Sequence, residues 1–192
     1  MSAVAQRADV TRRAVYMHFG SRSDLVRAVF EYVADAEGLQ GSLQHVWDAP
    51  DAAVTLDEWA AHLARYHPRL LEVDRAVRRV WRTDPDAADH RRRVVAAQLA
   101  GCRRIAQRMK DEDRLAEPWT VTTAADMLLA LISSDLIETL LVERRWSQRK
   151  LSDHLALVLR STFLASAPQE TPAGTRPRPA ARRAAIRASR SP

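Results

Sequence analysis

The residues best placed to do chemistry lie close to the N-terminus: Thr11, Arg12, Arg13, Tyr16, Met17, His18 and Arg22. Two adjacent guanidiniums, a phenol and an imidazole within seven positions suit a polyanion better than a reaction centre. Arginine matches guanine edges and phosphate oxygens, and tyrosine can donate to phosphate while its ring packs. The elements that would hold these groups follow from spacing. Val4, Ala5 and Ala8 form a small apolar face at helical period. Asp9 stands where that first helix must stop, and Asp tolerates the left-handed conformation such a stop often uses. Thr11 is a good N-cap for a second short helix. On that helix Val15 and Phe19 point to one side and Arg12/Tyr16 and Arg13/Met17 to the other. The pattern predicts a helix-turn-helix whose second helix presents an Arg/Arg/Tyr front.

The run Val4-Ala5-Gln6-Arg7-Ala8-Asp9-Val10-Thr11, followed by Val15-Tyr16-Met17-His18-Phe19-Gly20-Ser21-Arg22 and then Leu25, resembles the DNA-binding domain of the TetR family of bacterial transcriptional regulators. The resemblance covers about 25 residues, with aromatic, turn and cap positions all in register. It departs at Asp9, where the family usually has glycine. It also lacks the first helix that the family places ahead of this pair, since Met1 leaves almost nothing before Val4. The resemblance implies that Arg12 and Arg13 read bases, that Tyr16 and His18 touch phosphates or brace the domain, and that Arg22 pins a phosphate. It further implies a homodimer on a palindromic double-stranded operator, released by a small-molecule effector.

The formal net charge is +6, but it is not evenly spread. From Gln169 onward six arginines face only Glu170, so five of the six net charges belong to that stretch. Residues 1–30 carry five arginines against Asp9 and Asp24, a local cationic footprint of the kind phosphate binding needs. Cys102 is the lone cysteine and cannot form an internal disulfide, which points to a reducing, cytoplasmic setting. The most apolar run, Met127 to Val142, is interrupted by Asp135 and Glu138 and is shorter than the ~20 residues a spanning helix requires, so no membrane partner is expected.

The rest of the chain reads as helix throughout, giving an all-α fold with a head and a larger helical domain. Ser21 with Asp24 predicts a capping box opening a helix through about Glu37. Gly38, Gly41 and Pro50 predict a loop holding at most a turn of helix around His45-Val46-Trp47. A helix follows from Leu56, which Pro68 is expected to interrupt, opening a new one. Asp84-Pro85-Asp86 predicts a stop and restart, with a charged helix from Asp86 to Arg114. Glu117-Pro118 ends it. Thr122 or Thr123 is expected to cap a single helix to about Arg145, and Ser147 to cap a last one to about Ala165. The domains expected are thus a head and connecting helix over 1–37, a ligand-binding and dimerisation domain over 38–167, and a disordered basic tail over 168–192.

Two sets of residues in the larger domain are candidates for binding. Trp47, Trp59, Trp81 and Trp119, with His62, Tyr66 and Met109, could line a cavity for an apolar or aromatic effector. Leu128, Ile132, Leu136, Leu140, Leu155 and Leu159, on two Leu-rich helices joined tightly, could form a four-helix dimer interface. No catalytic constellation stands out: Glu58, His62 and Tyr66 share a helical face, but the chain has no Glu-x-x-His pair, phosphate loop or nucleophile turn, and no metal or cofactor is expected. The function expected is a DNA-binding regulator, a repressor, and not an enzyme. The competing expectation is a dimerising ligand-binding protein whose truncated head binds DNA poorly; a helical-bundle enzyme is the remote third.

Overall fold

A computed structural model describes residues 1–165. The tail expected over 168–192 lies outside the described residues. Among those described, the secondary structure is helical apart from one isolated bridge between Leu115 and Leu164. The first three helices are α1 (Ser2–Arg7), α2 (Arg12–His18) and α3 (Arg22–Ala36). The body comprises α4 (Leu39–Trp47), α5 (Ala52–Val80), α6 (Pro85–Asp111), α7 (Val121–Leu131), α8 (Ser134–Glu138), a π-helical turn over Thr139–Glu143, and α9 (Gln148–Phe163).

The 29-residue α5 is the axis of the body, packing against α4, α6, α8 and α9. The main core gathers Leu56 and Leu63 from it, Cys102, Ile105 and Met109 from α6, Leu128 from α7, and Leu159 and Phe163 from α9. All of these are essentially solvent-free. The end of α9 is tied back by Trp119 Nε1 donating to the Thr162 carbonyl at 2.8 Å and by Ala165 N–H donating to the Arg114 carbonyl at 2.9 Å.

Four expectations need correction. The helix across Pro68 does not break. Proline removes one backbone donor and crowds the preceding turn, which costs about 3 kcal/mol in an exposed helix. Here Leu63, Ala64, Tyr66, His67 and Leu71 are all buried on either side of it, and that packing keeps both halves on one axis. The supposed loop after Gly38 is instead a helix. Gly38, at φ 71, takes the left-handed turn that ends α3, and Leu39, Leu43, Val46 and Trp47 then recur at helical spacing, the last three against the core.

The helix expected to run to Arg145 stops at Leu131. The segment before the break packs along α6 and the one after it along α5, so a single straight helix could not serve both. The second segment is held by polar ties: Ser134 Oγ donates to Asp74 at 2.8 Å, and Glu138 accepts from Arg75 at 2.8 Å and Arg78 at 2.9 Å. The cap of α7 is Thr120, whose hydroxyl accepts from Thr123 N–H at 3.2 Å while the Thr123 hydroxyl accepts from Thr120 N–H at 3.0 Å. Thr123 therefore belongs to a capping box as its third residue, not as its cap.

Candidate nucleic-acid interface

Local chemistry builds the exposed face of α2. Asp9 turns the chain at φ 53, and Val10 N–H donates to the Ala5 carbonyl at 3.0 Å, closing α1. Thr11 Oγ1 accepts from Ala14 N–H at 3.1 Å, satisfying one of the unpaired donors at the start of α2. Val15 and Ala5 are buried against each other's helices, which fixes the rotation of α2. That rotation leaves Arg12, Arg13, Tyr16, Met17 and His18 in solvent, with Met17 78 % exposed. The Arg12 guanidinium lies 5.5 Å from the centre of the Tyr16 ring, so the two form one cationic and aromatic surface. The His18 ring is tilted against that of Phe19, ring centres 6.4 Å apart.

Arg22 stands apart from this group. It pairs with Asp84 and lies 3.8 Å from Asp86, both at the start of α6, and Ser23 bonds to Asp86 beside it. The side chain expected on a phosphate therefore engages the joint between α3 and the body. Ser21 caps α3 by accepting from Asp24 N–H at 3.1 Å, while its own hydroxyl donates to the Asp24 carboxylate at 2.8 Å. Further along α3, Phe30 stacks on His90 of α6 with ring centres 3.4 Å apart. Burial lowers the His90 pKa first, with Arg93 acting in the same direction.

The seven aromatic and sulfur residues expected around an effector do not meet in one cavity. Trp59, His62 and Tyr66 form a buried column on α5, with ring centres 5.3 and 5.4 Å apart. His62 Nδ1 is 2.9 Å from Ser42 Oγ of α4, and His67 meets the His62 ring edgewise at 6.2 Å. Burial, helped by the neighbouring His67 and Arg65, pushes the His62 pKa down to about 3. Burial alone pushes His67 down to about 4. Both imidazoles are thus neutral near pH 7. Tyr66 is pushed up to about 12 by burial and the acids Asp74, Glu37 and Asp35. Met109 belongs to the main core, and Trp47 is half-buried beneath Arg104, whose guanidinium lies 4.3 Å from its ring centre. Trp119 faces Phe163, and Trp81 closes the far end of α5.

Of the six residues expected at a dimer interface, Leu128, Ile132, Leu155 and Leu159 are 0–6 % exposed inside this chain's own core. Leu136 and Leu140 are half-buried beside Ile137 and Leu151. The large apolar side chains left in solvent nearby are Met127, Val142, Leu157 and Val158. Leu157 is the one with a readable signal, being two residues from both Leu155 and Leu159 and so on the opposite side of α9. Among the described residues no group of three or more His, Cys, Asp or Glu is placed to hold a metal ion, and no helix is long and apolar enough to cross a membrane.

Residues 1–29 match the family model described as bacterial regulatory proteins, tetR family. Two solved structures share the fold. A proposed TetR-family transcriptional regulator from Rhodococcus sp. superposes with a TM-score of 0.64 at 18 % identity, over 84 % of this chain and 86 % of that one. A transcriptional regulator from Rhodococcus sp. Rha1 superposes with a TM-score of 0.59 at 20 % identity, over 86 % and 87 %. No curated protein matches the chain.

Proposed function

Since residues 1–29 match the tetR family of bacterial regulatory proteins, we propose that the chain is a cytoplasmic repressor that holds a palindromic operator as a homodimer and releases it when a small molecule binds the body. The head would comprise residues 1–37 and the effector and dimer domain residues 38–167. The observation that carries the reading is the solvent-facing set Arg12, Arg13, Tyr16, Met17 and His18, presented on a short capped helix behind a left-handed turn. That geometry suits a recognition helix in the major groove. The two halves of a dimer would be joined through Met127, Leu157 and Val158, the apolar side chains that the protomer's own core leaves uncovered.

Release requires that the effector bind the two head positions unequally. The ties that would transmit it are those of Arg22 and Ser23 to Asp84 and Asp86, and of Phe30 to His90. A ligand that moves the first half of α6 moves α3, and α3 carries the head.

Selection of bound sequences from random duplex DNA tests the reading. The expected result is a palindrome. Replacing Arg12 or Arg13 with alanine should then cost roughly 1–3 kcal/mol on the selected site and relax its preference at one or two positions. Arg22→Ala, by contrast, should leave base preference intact and alter how the effector couples to DNA. Equal losses for all three variants on selected and scrambled DNA would overturn the assignment of α2.

A second reading is favoured by how little of the head is covered. Ala5 and Val15 are buried, while Val4 is 41 % and Val10 48 % exposed. A head so thinly packed could leave the chain as a dimerising ligand-binding module that binds DNA weakly. Native-state hydrogen exchange separates the two: residues 1–20 should exchange at least a hundredfold faster than α9, and operator DNA should slow them. Head exchange that specific DNA leaves unchanged would favour the second reading.

A further inference from the structure

We propose that the cleft between the end of α5, the first half of α6 and the α7–α8 break binds a small amphipathic monoanion, a single carboxylate on an aliphatic or aromatic body. The proposal deepens the effector reading above and rests on it for its regulatory consequence, though not for the binding itself. The cleft encloses about 510 Å³, within the ~300–1,000 Å³ typical of small-molecule sites.

Two of the cleft's cations, Arg82 and Arg91, are set on an aromatic ring rather than on an acid. Arg82 and Arg91 both lie over the Trp81 indole, their guanidinium carbons 5.2 and 5.0 Å from its ring centre. Arg92 and Arg93 pair with Asp89, whereas Arg91 between them turns to the cleft. Among the described residues neither Arg82 nor Arg91 makes an ion pair. Two like charges brought to one ring repel each other, and an anion seated between them would remove that repulsion. A carboxylate also fits the planar guanidinium fork.

A third guanidinium, Arg78, is held by Asp135 and Glu138, and its Nε is buried without a partner. The adjoining recess is lined by Asp74, Val77, His90 and Val94. Of the three arginines lining the joined space Arg78 is already ion-paired, to Asp135 and Glu138, which leaves Arg82 and Arg91 against the single carboxylate of Asp74, an excess of one positive charge. That excess matches one carboxylate and would not balance a phosphate-rich ligand. Val95, Leu129 and Ile132 supply apolar wall for the body of such a molecule, and Gln98 and Ser133 also line the cleft. His90, which lines the recess, is the residue stacked on Phe30 of α3. An occupant therefore presses on the same stretch of α6 that holds the head.

Calorimetric titration of the full chain with decanoate and with 2-naphthoate tests the site without DNA. At least one should saturate at one molecule per chain, and decanamide or 2-naphthamide, its neutral counterpart, should bind at least tenfold more weakly. The double variant R82A/R91A, altered at two exposed side chains, should melt as the parent does and lose at least tenfold in affinity. Val95→Glu, which puts a carboxylate into the apolar wall, should lose as much. No saturable binding of either probe, equal binding of acid and amide, unchanged affinity in both variants, or inorganic phosphate binding as tightly as the probes would overturn the proposal. A second arm adds labelled operator DNA: release by the bound probe, lost in R82A/R91A, supports the regulatory link. A probe-saturated chain that keeps its operator would overturn effector release while leaving the site in place.

Discussion

Replacing Leu128 with aspartate is expected to unfold the helical body rather than separate two intact protomers. Leu128 is fully buried, packed in one core with Cys102, Ile105, Leu159 and Phe163 from α6 and α9. Truncating such a leucine to alanine alone costs about 2–5 kcal/mol, and an unpaired buried carboxylate adds several more. A domain of this size has roughly 5–15 kcal/mol in all. The contrasting pair is Leu157→Glu with Val158→Glu on α9. These side chains are 58 % and 46 % exposed, so the protomer loses little by their change. The double variant should keep its melting temperature at low concentration and halve its mass by light scattering. A folded, dimeric Leu128→Asp protein would mean that the core closes without α7. A Leu157/Val158 variant that stays dimeric would move the interface elsewhere.

Why the exposed face of α2 could be read from sequence, and the cleft beside Trp81 could not, comes down to range. Thr11, Asp9 and Ser21 act on their own backbone within three or four residues, so residue type and position suffice to place them. Gly38 and Pro68 are local signals too, but they were outvoted. The apolar spacing of Leu39, Leu43, Val46 and Trp47 overrides the glycines around it, and the buried flanks of Pro68 hold α5 together. The break after Leu131 has no Pro or Gly to announce it. It arises because Asp74, Arg75 and Arg78, some sixty residues away, hold Ser134 and Glu138. Leu-rich helices likewise announce burial without saying by what, which is why Leu128 and Leu159 looked like a dimer face and serve as core. Pairings at that distance leave no periodic trace. The same holds for the column of Trp59, His62 and Tyr66, whose i, i+3, i+7 spacing is visible in the sequence but whose facing partner Ser42 is not.

Acid should destabilise this fold well before its carboxylates are titrated. His62 and His67 are neutral in the folded chain, with pKa values near 3 and 4, whereas an exposed imidazole in the unfolded chain takes a proton near 6.5. Between these limits the unfolded state binds protons that the folded state cannot, so stability is fully present above about pH 6.5 and falls as the pH drops. Each imidazole loses about 1.4 kcal/mol per pH unit in that window, so the pair loses about 4 kcal/mol by pH 5. The ion-paired carboxylates act in a lower window. Glu138, held below the usual carboxylate range by its bond from Arg75, and Asp84, held down by the Ala87 N–H, lose their contribution only as the pH falls below about 4.5. Asp74, pushed up by burial, works in the opposite direction and blunts the loss slightly. Urea unfolding at pH 7.5 and pH 5.0 measures the difference directly. His67→Leu should remove about half of the slope, because its Nδ1 has no partner to lose and a leucine of similar size cannot take a proton. A stability that changes by less than 1 kcal/mol across this range, or a slope that survives His67→Leu intact, would mean that the column opens to solvent and its imidazoles titrate in place.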